Sequence, residues 1–432
     1  MKSNASKAGH ASPAKTTHGL HLNAMGPFFT LPIKMDPARS MNTSPQPSSS
    51  QQRRTLAMAS TAHALHDGYT DMIYVLLPLW QTEFALSYVL LGGLRGLYSA
   101  AMAGLQVWAA QLAQRWGTVK VLTLGTLLAA IGYGWAGFSA GLVGLCAALV
   151  LSGAGSSTQH PLASAAVARA YGHQARGPLG VYNFGGDVGK AALPAALALM
   201  LTLMTWRESL AWMAGIGVLV AMALALLMPP APNIADSTPS VHTSHGENRG
   251  GFGLLLSIGI LDSATRMGFL TFLPFLLQDK GANMPMIGLG LALVFMGGAV
   301  GKFVCGWLGA RYNLLWVVVI TEGGSALAIL GVLLAPLSLS LLVLPVLGVM
   351  LNGTSSVLYG TVPELTPPEQ IERAFSWFYT GTIGSGALAP ILFGFLGDLT
   401  SPVGATVATA VTALVTVPLA VGLNQRLAPK CH

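Results

Sequence analysis

The chain has 432 residues, 53% of them hydrophobic and only 9% charged, against roughly 25% charged in a soluble domain. That balance excludes a water-soluble surface wrapped around one core. The net charge of +7 does not indicate nucleic-acid binding, because the Lys and Arg residues are distributed as membrane topology requires.

Residues 1–54 are rich in Ser, Pro and Ala with a single acid, Asp36. They are expected to form a disordered cytoplasmic tail, or to precede a later start at Met25, Met35 or Met41. No apolar run precedes Leu56, so a cleaved secretory signal is not expected. Hydrophobic stretches of about 20 residues then recur, each long enough to cross a bilayer as a helix. They lie near 56–80, 87–112, 119–138, 141–168, 179–204 and 208–228, then 252–277, 285–309, 314–335, 338–361, 374–396 and 402–423. Period-two alternation is absent, so helices are the spanning element. The polar stretch 229–250 reads as a cytoplasmic linker, and 425–432 as a second cytoplasmic tail.

The apolar part is written twice, about 196 residues apart. Leu112-Ala113-Gln114-Arg115 is answered by Leu308-Gly309-Ala310-Arg311, Pro78 by Pro274, Tyr182 by Tyr379, Gly189 by Gly386 and Pro194 by Pro390. Two-part repeats are a mark of transporters, where the solute sits between the halves. The expected architecture is an all-α polytopic membrane protein of twelve transmembrane helices in two pseudo-symmetric six-helix bundles, 55–228 and 251–424. Arg207 and Lys280 are placed on one side, and Arg95, Lys190 and Arg266 inside spans. All other Lys and Arg residues are assigned to the tails and the opposite loops, which sets both termini in the cytoplasm of an inner-membrane protein.

Ionisable residues inside a membrane cost several kcal/mol unless paired or hydrated, and the spans carry several. His63, His66, Asp67 and Asp71 lie in the first; His63, Asp67 and Asp71 are spaced by four and share a face with Tyr74. An imidazole one turn from a buried carboxylate suits proton coupling. The competing reading starts the helix later and leaves the histidines in water. Arg95, beside Gly92, Gly93 and Gly96, either presents a fork to an oxyanion or ties the helix to Asp67 or Asp71. Asp187 and Lys190 either neutralise each other at i and i+3, or divide into a proton site and an anion site. Their run Asn183-Phe-Gly-Gly-Asp-Val-Gly-Lys190 lacks the spacing and the Ser or Thr of a phosphate loop. Asp262 and Arg266 at i and i+4 allow a self-paired couple or one opened by solute. His160-Pro161 follows Gly155-Ser156-Ser157, where proline kinks the helix and frees a carbonyl. Glu322 stands alone. Cys146, Cys305 and Cys431 show no disulfide or metal spacing; no cofactor and no metal are expected.

At these residues the chain resembles the major facilitator superfamily, and more narrowly its fosmidomycin-resistance group, over residues 56–424. The superfamily loop signature Gly-x-x-x-Asp-Arg-x-Gly reads here Ala110-Gln-Leu-Ala-Gln114-Arg115-Trp-Gly117, and again Gly306-Trp-Leu-Gly-Ala310-Arg311-Tyr-Asn313. Both copies lack the Asp. The narrower likeness rests on Ala62-His63-Ala-Leu-His66-Asp67, Gly155-Ser156-Ser157-x-x-His160-Pro161, Val167-Ala-Arg169, Gly185-Gly186 with Gly189, and Pro363-Glu364-Leu365. It implies His63, Asp67 and His160 on the translocation path and Arg115, Gly117 and Arg311 in conformational loops. Leu162 stands where the group tends to have an acid, and Asp187 and Lys190 where it has small or amide residues.

The expected function is secondary active transport of a small organic solute by alternating access. Proton coupling is assigned to Asp67, Asp71, His63 and Asp187, and solute binding to Arg95, His160, Lys190, Asp262 and Arg266. The resemblance tilts the direction towards drug efflux in exchange for protons. The internal cations equally suit proton-driven uptake of an organic anion. An intramembrane enzyme is disfavoured, since there is no His-Glu-x-x-His and no acid orients His160 in sequence. The linker is too short for a sensor domain. The expected partners are a small solute, protons and lipid, with no nucleic acid, around a monomer.

Overall fold

The computed structural model describes residues 48–230, 249–309, 311–366 and 371–427. Most of the expected tails and linker lies outside the described residues. Every long element among the described residues is helical: α1 (Ser49–Phe84), α2 (Tyr88–Gly104), α3 (Gln106–Trp116), α4 (Thr118–Phe138), α5 (Leu142–Ser156), α6 (Gln159–Tyr171), α7 (Arg176–Met200) and α8 (Trp206–Leu227) precede the linker. After it come α9 (Arg249–Asp279), α10 (Met284–Gly309), α11 (Leu314–Leu334), α12 (Leu337–Thr361), α13 (Ile371–Leu399) and α14 (Pro402–Leu427).

Local chemistry explains the ends. Ser48 and Gln51 form a capping box that starts α1 six residues before the expected boundary, satisfying backbone donors that would otherwise be orphaned. Ala85, at φ 49°, turns the chain out of α1, and Ser87 caps α2. The 36 residues of α1 reach roughly 54 Å at 1.5 Å per residue, well beyond an apolar layer of about 30 Å. Two expected spans are broken: α2 stops at Gly104 before α3, and α5 stops at Ser156 before α6. Pro161 has no N–H to give the carbonyl of Ser157, so the second break falls where the proline requires it.

Among the described residues, nine segments are long and apolar enough to cross a membrane. The three expected spans missing from that set lie on α1, α2 with α3, and α7. The reason is chemical. α1 and α7 carry the internal His, Asp and Lys residues that lower hydropathy, and α2 ends after 17 residues.

The helices before the linker pack chiefly on one another, as α1 with α7, α4 with α8 and α4 with α5. Those after it do likewise, as α10 with α12, α9 with α14 and α9 with α13. Two seams join the groups, α2 with α13 and α7 with α10. Small residues let backbones meet there. A Cβ at Gly92 would lie 2.0 Å from the Pro390 carbonyl oxygen, and one at Gly96 2.4 Å from that of Ala387. The Asp398 carboxylate accepts hydrogen bonds from the backbone N–H groups of Tyr88 at 2.7 Å and Val89 at 2.9 Å, favoured by the positive N-terminus of α2. Within the first group, Gly189 lets α7 lie on α1, where a Cβ would come 1.9 Å from the Ala64 carbonyl oxygen.

Candidate functional site: a charged cavity between the two helix groups

A cavity of about 260 Å³ opens between the groups, lined by Asp67, Asp71, Arg95, His160 and Lys190 on one side and by Arg266, Lys302, Asn352, Tyr359 and Thr382 on the other. Helical spacing places the α1 members. Asp67 and Asp71 are one turn apart, both nearly inaccessible, and His63 lies one turn earlier.

Asp67 is the hub. Its Oδ2 lies 3.3 Å from Lys190 Nζ and 3.2 Å from His63 Nε2, while its Oδ1 lies 3.6 Å from His160 Nε2. A buried carboxylate needs such company, since an unpaired one costs several kcal/mol. Gly186 makes the room: a Cβ there would meet His63 Nε2 at 2.6 Å and Asp67 Oδ2 at 2.8 Å.

His63 stacks on Tyr182 at 4.2 Å between centroids, and its Nδ1 lies 2.9 Å from the Tyr182 carbonyl oxygen. A carbonyl only accepts, so Nδ1 carries the hydrogen. Nε2 then faces a carboxylate oxygen, and a hydrogen bond across that gap needs one more proton. The pair is therefore either imidazolium with carboxylate or imidazole with carboxylic acid. In both forms it stores a proton at the cavity wall.

His66 behaves differently. Its two ring nitrogens bond Ser156 and Thr126, each at 3.0 Å, which makes it a buried tie between α1, α5 and α4. Both first-helix histidines are buried, contrary to the late-start reading. His63, Asp67 and His160 also offer metal-ligand atoms within 4.8 Å of one another. The Lys190 ammonium already occupies the same Asp67 oxygen as His63, and its charge opposes a cation there.

The i to i+3 pairing of Asp187 with Lys190 does not form as an ion pair. Lys190 turns to Asp67, and Asp187 instead accepts from Lys302 Nζ of α10 at 2.6 Å. Lys302 was assigned by sequence to the loop charges, yet it lies inside α10. The signal was available, because residues 285–309 already formed an expected span. Asn352, Tyr359 and Thr382 were also missed, for uncharged polar residues are common in helix seams. Asp187→Asn and Lys302→Met are each expected to lower transport about tenfold. The double variant should recover to within a few-fold, as coupled partners do in a double-mutant cycle.

Arg95 bonds Ser99, lies 3.8 Å from Asp71 Oδ1 and sits over the Tyr74 ring at 5.1 Å. It is a structural cation partly balanced by α1. Arg266 is not. It makes no ion pair within 4.0 Å and no side-chain hydrogen bond among the described residues, and its Nε is buried without a partner. The i to i+4 couple with Asp262 therefore stays open. Asp262 is buried and is not among the residues that line the cavity. Arg115 and Gly117 are exposed at the α3–α4 turn, where Gly117 has φ +89°, and Arg311 stacks on Trp307 at 4.2 Å. All three lie away from the cavity.

Repeated membrane-length helices around a charged cavity have the form of a polytopic transporter. The profile described as Major Facilitator Superfamily matches residues 59–250 and 255–429; the chain belongs to that family. It is 25% identical over 389 residues to the fosmidomycin resistance protein of Escherichia coli (strain K12), covering 84% of this chain and 93% of the relative. It is 30% identical over 156 residues to the gallate transporter of Pseudomonas putida, which spans 32% of this chain and about a third (34%) of that relative. Among solved structures it is similar to a bacterial homolog of the human lysosomal transporter Spinster in an inward-facing and occupied conformation. That likeness has a TM-score of 0.73 at 17% identity, over 88% of this chain and 98% of the other, and concerns the fold alone.

Proposed function

We propose that the chain is a secondary active transporter that carries a small organic anion together with protons by alternating access. The bent pairs α2–α3 and α5–α6 each count as one crossing, which reduces the helices to twelve in two six-helix halves, 55–228 and 251–424. The Lys and Arg asymmetry supports an inner-membrane protein with both termini in the cytoplasm.

The observation that carries the reading is the shared partner of Lys190. Asp67 binds Lys190 and also faces His63 across a gap that holds a proton. When Asp67 is neutral, Lys190 loses its anionic partner and becomes available to a solute anion in the same cavity. Arg266 supplies a second, unpaired cation. Proton and anion then each favour binding of the other, and the linkage is reciprocal. Fosmidomycin and gallate, named in the two relatives, are both organic anions at neutral pH.

Efflux in exchange for protons is the second reading, favoured by the likeness to the fosmidomycin resistance protein across most of both chains. Vesicles of defined orientation separate the two. In right-side-out vesicles, an acid exterior should drive accumulation of labelled gallate or fosmidomycin. Solute-induced collapse of an acid interior in inverted vesicles, without such accumulation, would overturn the uptake reading and support exchange.

Arg266→Gln is expected to raise the KM for the anion about 10- to 100-fold, the loss of one charge-assisted contact of about 1.5–3 kcal/mol. Protein abundance should hold. Concentration-dependent counterflow measures it.

A further inference from the structure

An apolar groove of about 520 Å³ opens on the first helix group and shares no lining residue with the charged cavity. Trp108 and Trp116 of α3 face Leu124 and Ile131 of α4 across it, and all four are exposed. Leu105, at the break between α2 and α3, and Ser157, at the break between α5 and α6, also line it. The groove therefore lies where two crossings bend. On a protein that crosses a bilayer, an exposed apolar surface of this kind meets lipid.

One end of the groove is basic. α3 and α4 meet at the Gly117 turn, with Arg115 just before it and Lys120 just after. Arg115 follows Trp108 by seven residues and Lys120 precedes Leu124 by four, so each shares a helical stripe with a groove residue. Both cations are exposed, and neither makes an ion pair or a side-chain hydrogen bond among the described residues. The nearby acids are engaged elsewhere. No Asp or Glu occurs between Glu83 and Asp187. Glu83 pairs with Arg207, Glu208 caps α8, and Asp67 and Asp71 line the charged cavity. The superfamily signature would put an acid beside Arg115, where this chain has Gln114.

We propose that this groove binds an anionic phospholipid, with one acyl chain between α3 and α4 and the phosphate at Arg115 and Lys120. The apolar walls take the chain. Trp116, next to Arg115, has the amphipathic ring that settles at headgroup level. The two unpaired cations select an anionic head over a zwitterionic one. The site also backs onto the coupling residues. Ser157 and Gly125 line the groove, and their neighbours Ser156 and Thr126 bond the two ring nitrogens of His66, each at 3.0 Å. His66 stands between His63 and Asp67 on α1. A lipid seated here braces the α4–α5 seam that holds this stretch of α1, and so stabilises the folded protein.

Photo-cross-linking of the full-length protein tests the site without a solute. Vesicles of dioleoylphosphatidylcholine and dioleoylphosphatidylglycerol in equal parts carry a trace of one or the other lipid with a diazirine in its acyl chain. The phosphatidylglycerol probe is expected to label peptides from residues 105–131 about tenfold more than the phosphatidylcholine probe. Arg115→Gln combined with Lys120→Gln should abolish that preference, and Leu128→Trp, which fills the groove, should lower labelling by both probes. Phosphatidylglycerol added to the protein in detergent should raise the melting temperature of the unsubstituted form and leave that of the double variant unchanged. Equal labelling by the two probes, or a preference that survives the double substitution, overturns the proposal. Either result leaves the Asp67–Lys190 reading standing, since the two sites share no residue.

Discussion

Asp67→Asn is expected to abolish uphill accumulation of the solute, by about 100-fold or more, while leaving exchange of solute across the membrane within a few-fold. The amide keeps the volume of the carboxyl but neither gains nor loses a proton at neutral pH. The His63 face then has nothing to share, and coupling is lost. Lys190 loses its partner at 3.3 Å, so the anion meets a cation that is always available. Binding therefore survives where coupling does not. The same change leaves a buried ammonium unpaired, at a cost of about 3–5 kcal/mol, reduced because the Lys190 side chain is 31% exposed. The variant should thus melt lower than the unsubstituted protein when no solute is present, and a bound anion should restore part of that loss. Accumulation driven by a pH gradient, counterflow, and melting with and without gallate read the three parts separately. Undiminished accumulation would remove Asp67 from the coupling path.

Gly92→Val is expected to reduce transport by about 100-fold with near-normal abundance, for a different reason. Gly92 sits on the seam between α2 and α13, and a Cβ there would lie 2.0 Å from the Pro390 carbonyl oxygen. Backbone cannot move aside as a flexible side chain does, so the seam cannot close. Because the seam joins two groups that pack on themselves, each should still fold. Gly189→Val makes the contrast. Its Cβ would fall 1.9 Å from the Ala64 carbonyl oxygen, inside the first group, and should deplete the protein from the membrane altogether. A cysteine pair introduced as Tyr88→Cys with Gly397→Cys reports the seam directly, since a Cβ at Gly397 would lie 3.5 Å from the Tyr88 Cβ, a separation that suits a disulfide. Oxidative cross-linking of that pair should be efficient alone and fail when Gly92→Val is added. Cross-linking and transport that both survive Gly92→Val would show that the seam need not close.

Several features were legible before any packing was known. The recurrence of apolar stretches determined that the chain is helical and crosses a membrane repeatedly, because an isolated segment in lipid must satisfy its own backbone. The four-residue spacing of His63, Asp67 and Asp71 determined that they share a face, as helical geometry demands. The position of Pro161 foretold a kink in the span 141–168, which the structure shows as a break after Ser156. The family likeness was also carried by short runs, such as Ala62–Asp67, Gly155–Pro161 and Gly185–Gly186 with Gly189, whose polar residues turn out to join α1 to α5 and whose glycines pack α7 against α1 and α5 against α4.

Which charge meets which was decided by tertiary structure. Asp187 and Lys190 are neighbours along α7, yet each bonds to a different helix, Asp187 to Lys302 and Lys190 to Asp67. Spacing along a helix sets direction, whereas pairing depends on the rotation and approach of helices more than 100 residues away in sequence. A flexible Lys stem of four carbons spans that approach, so Lys190 reaches Asp67 across to α1 and Lys302 reaches Asp187 on α7. The same dependence on packing leaves Arg266 at the cavity without an ion pair among the described residues. The sequence thus determined which ionisable groups enter the membrane, and the packing of α1, α7, α9, α10 and α11 decided which are neutralised there and which remain to bind.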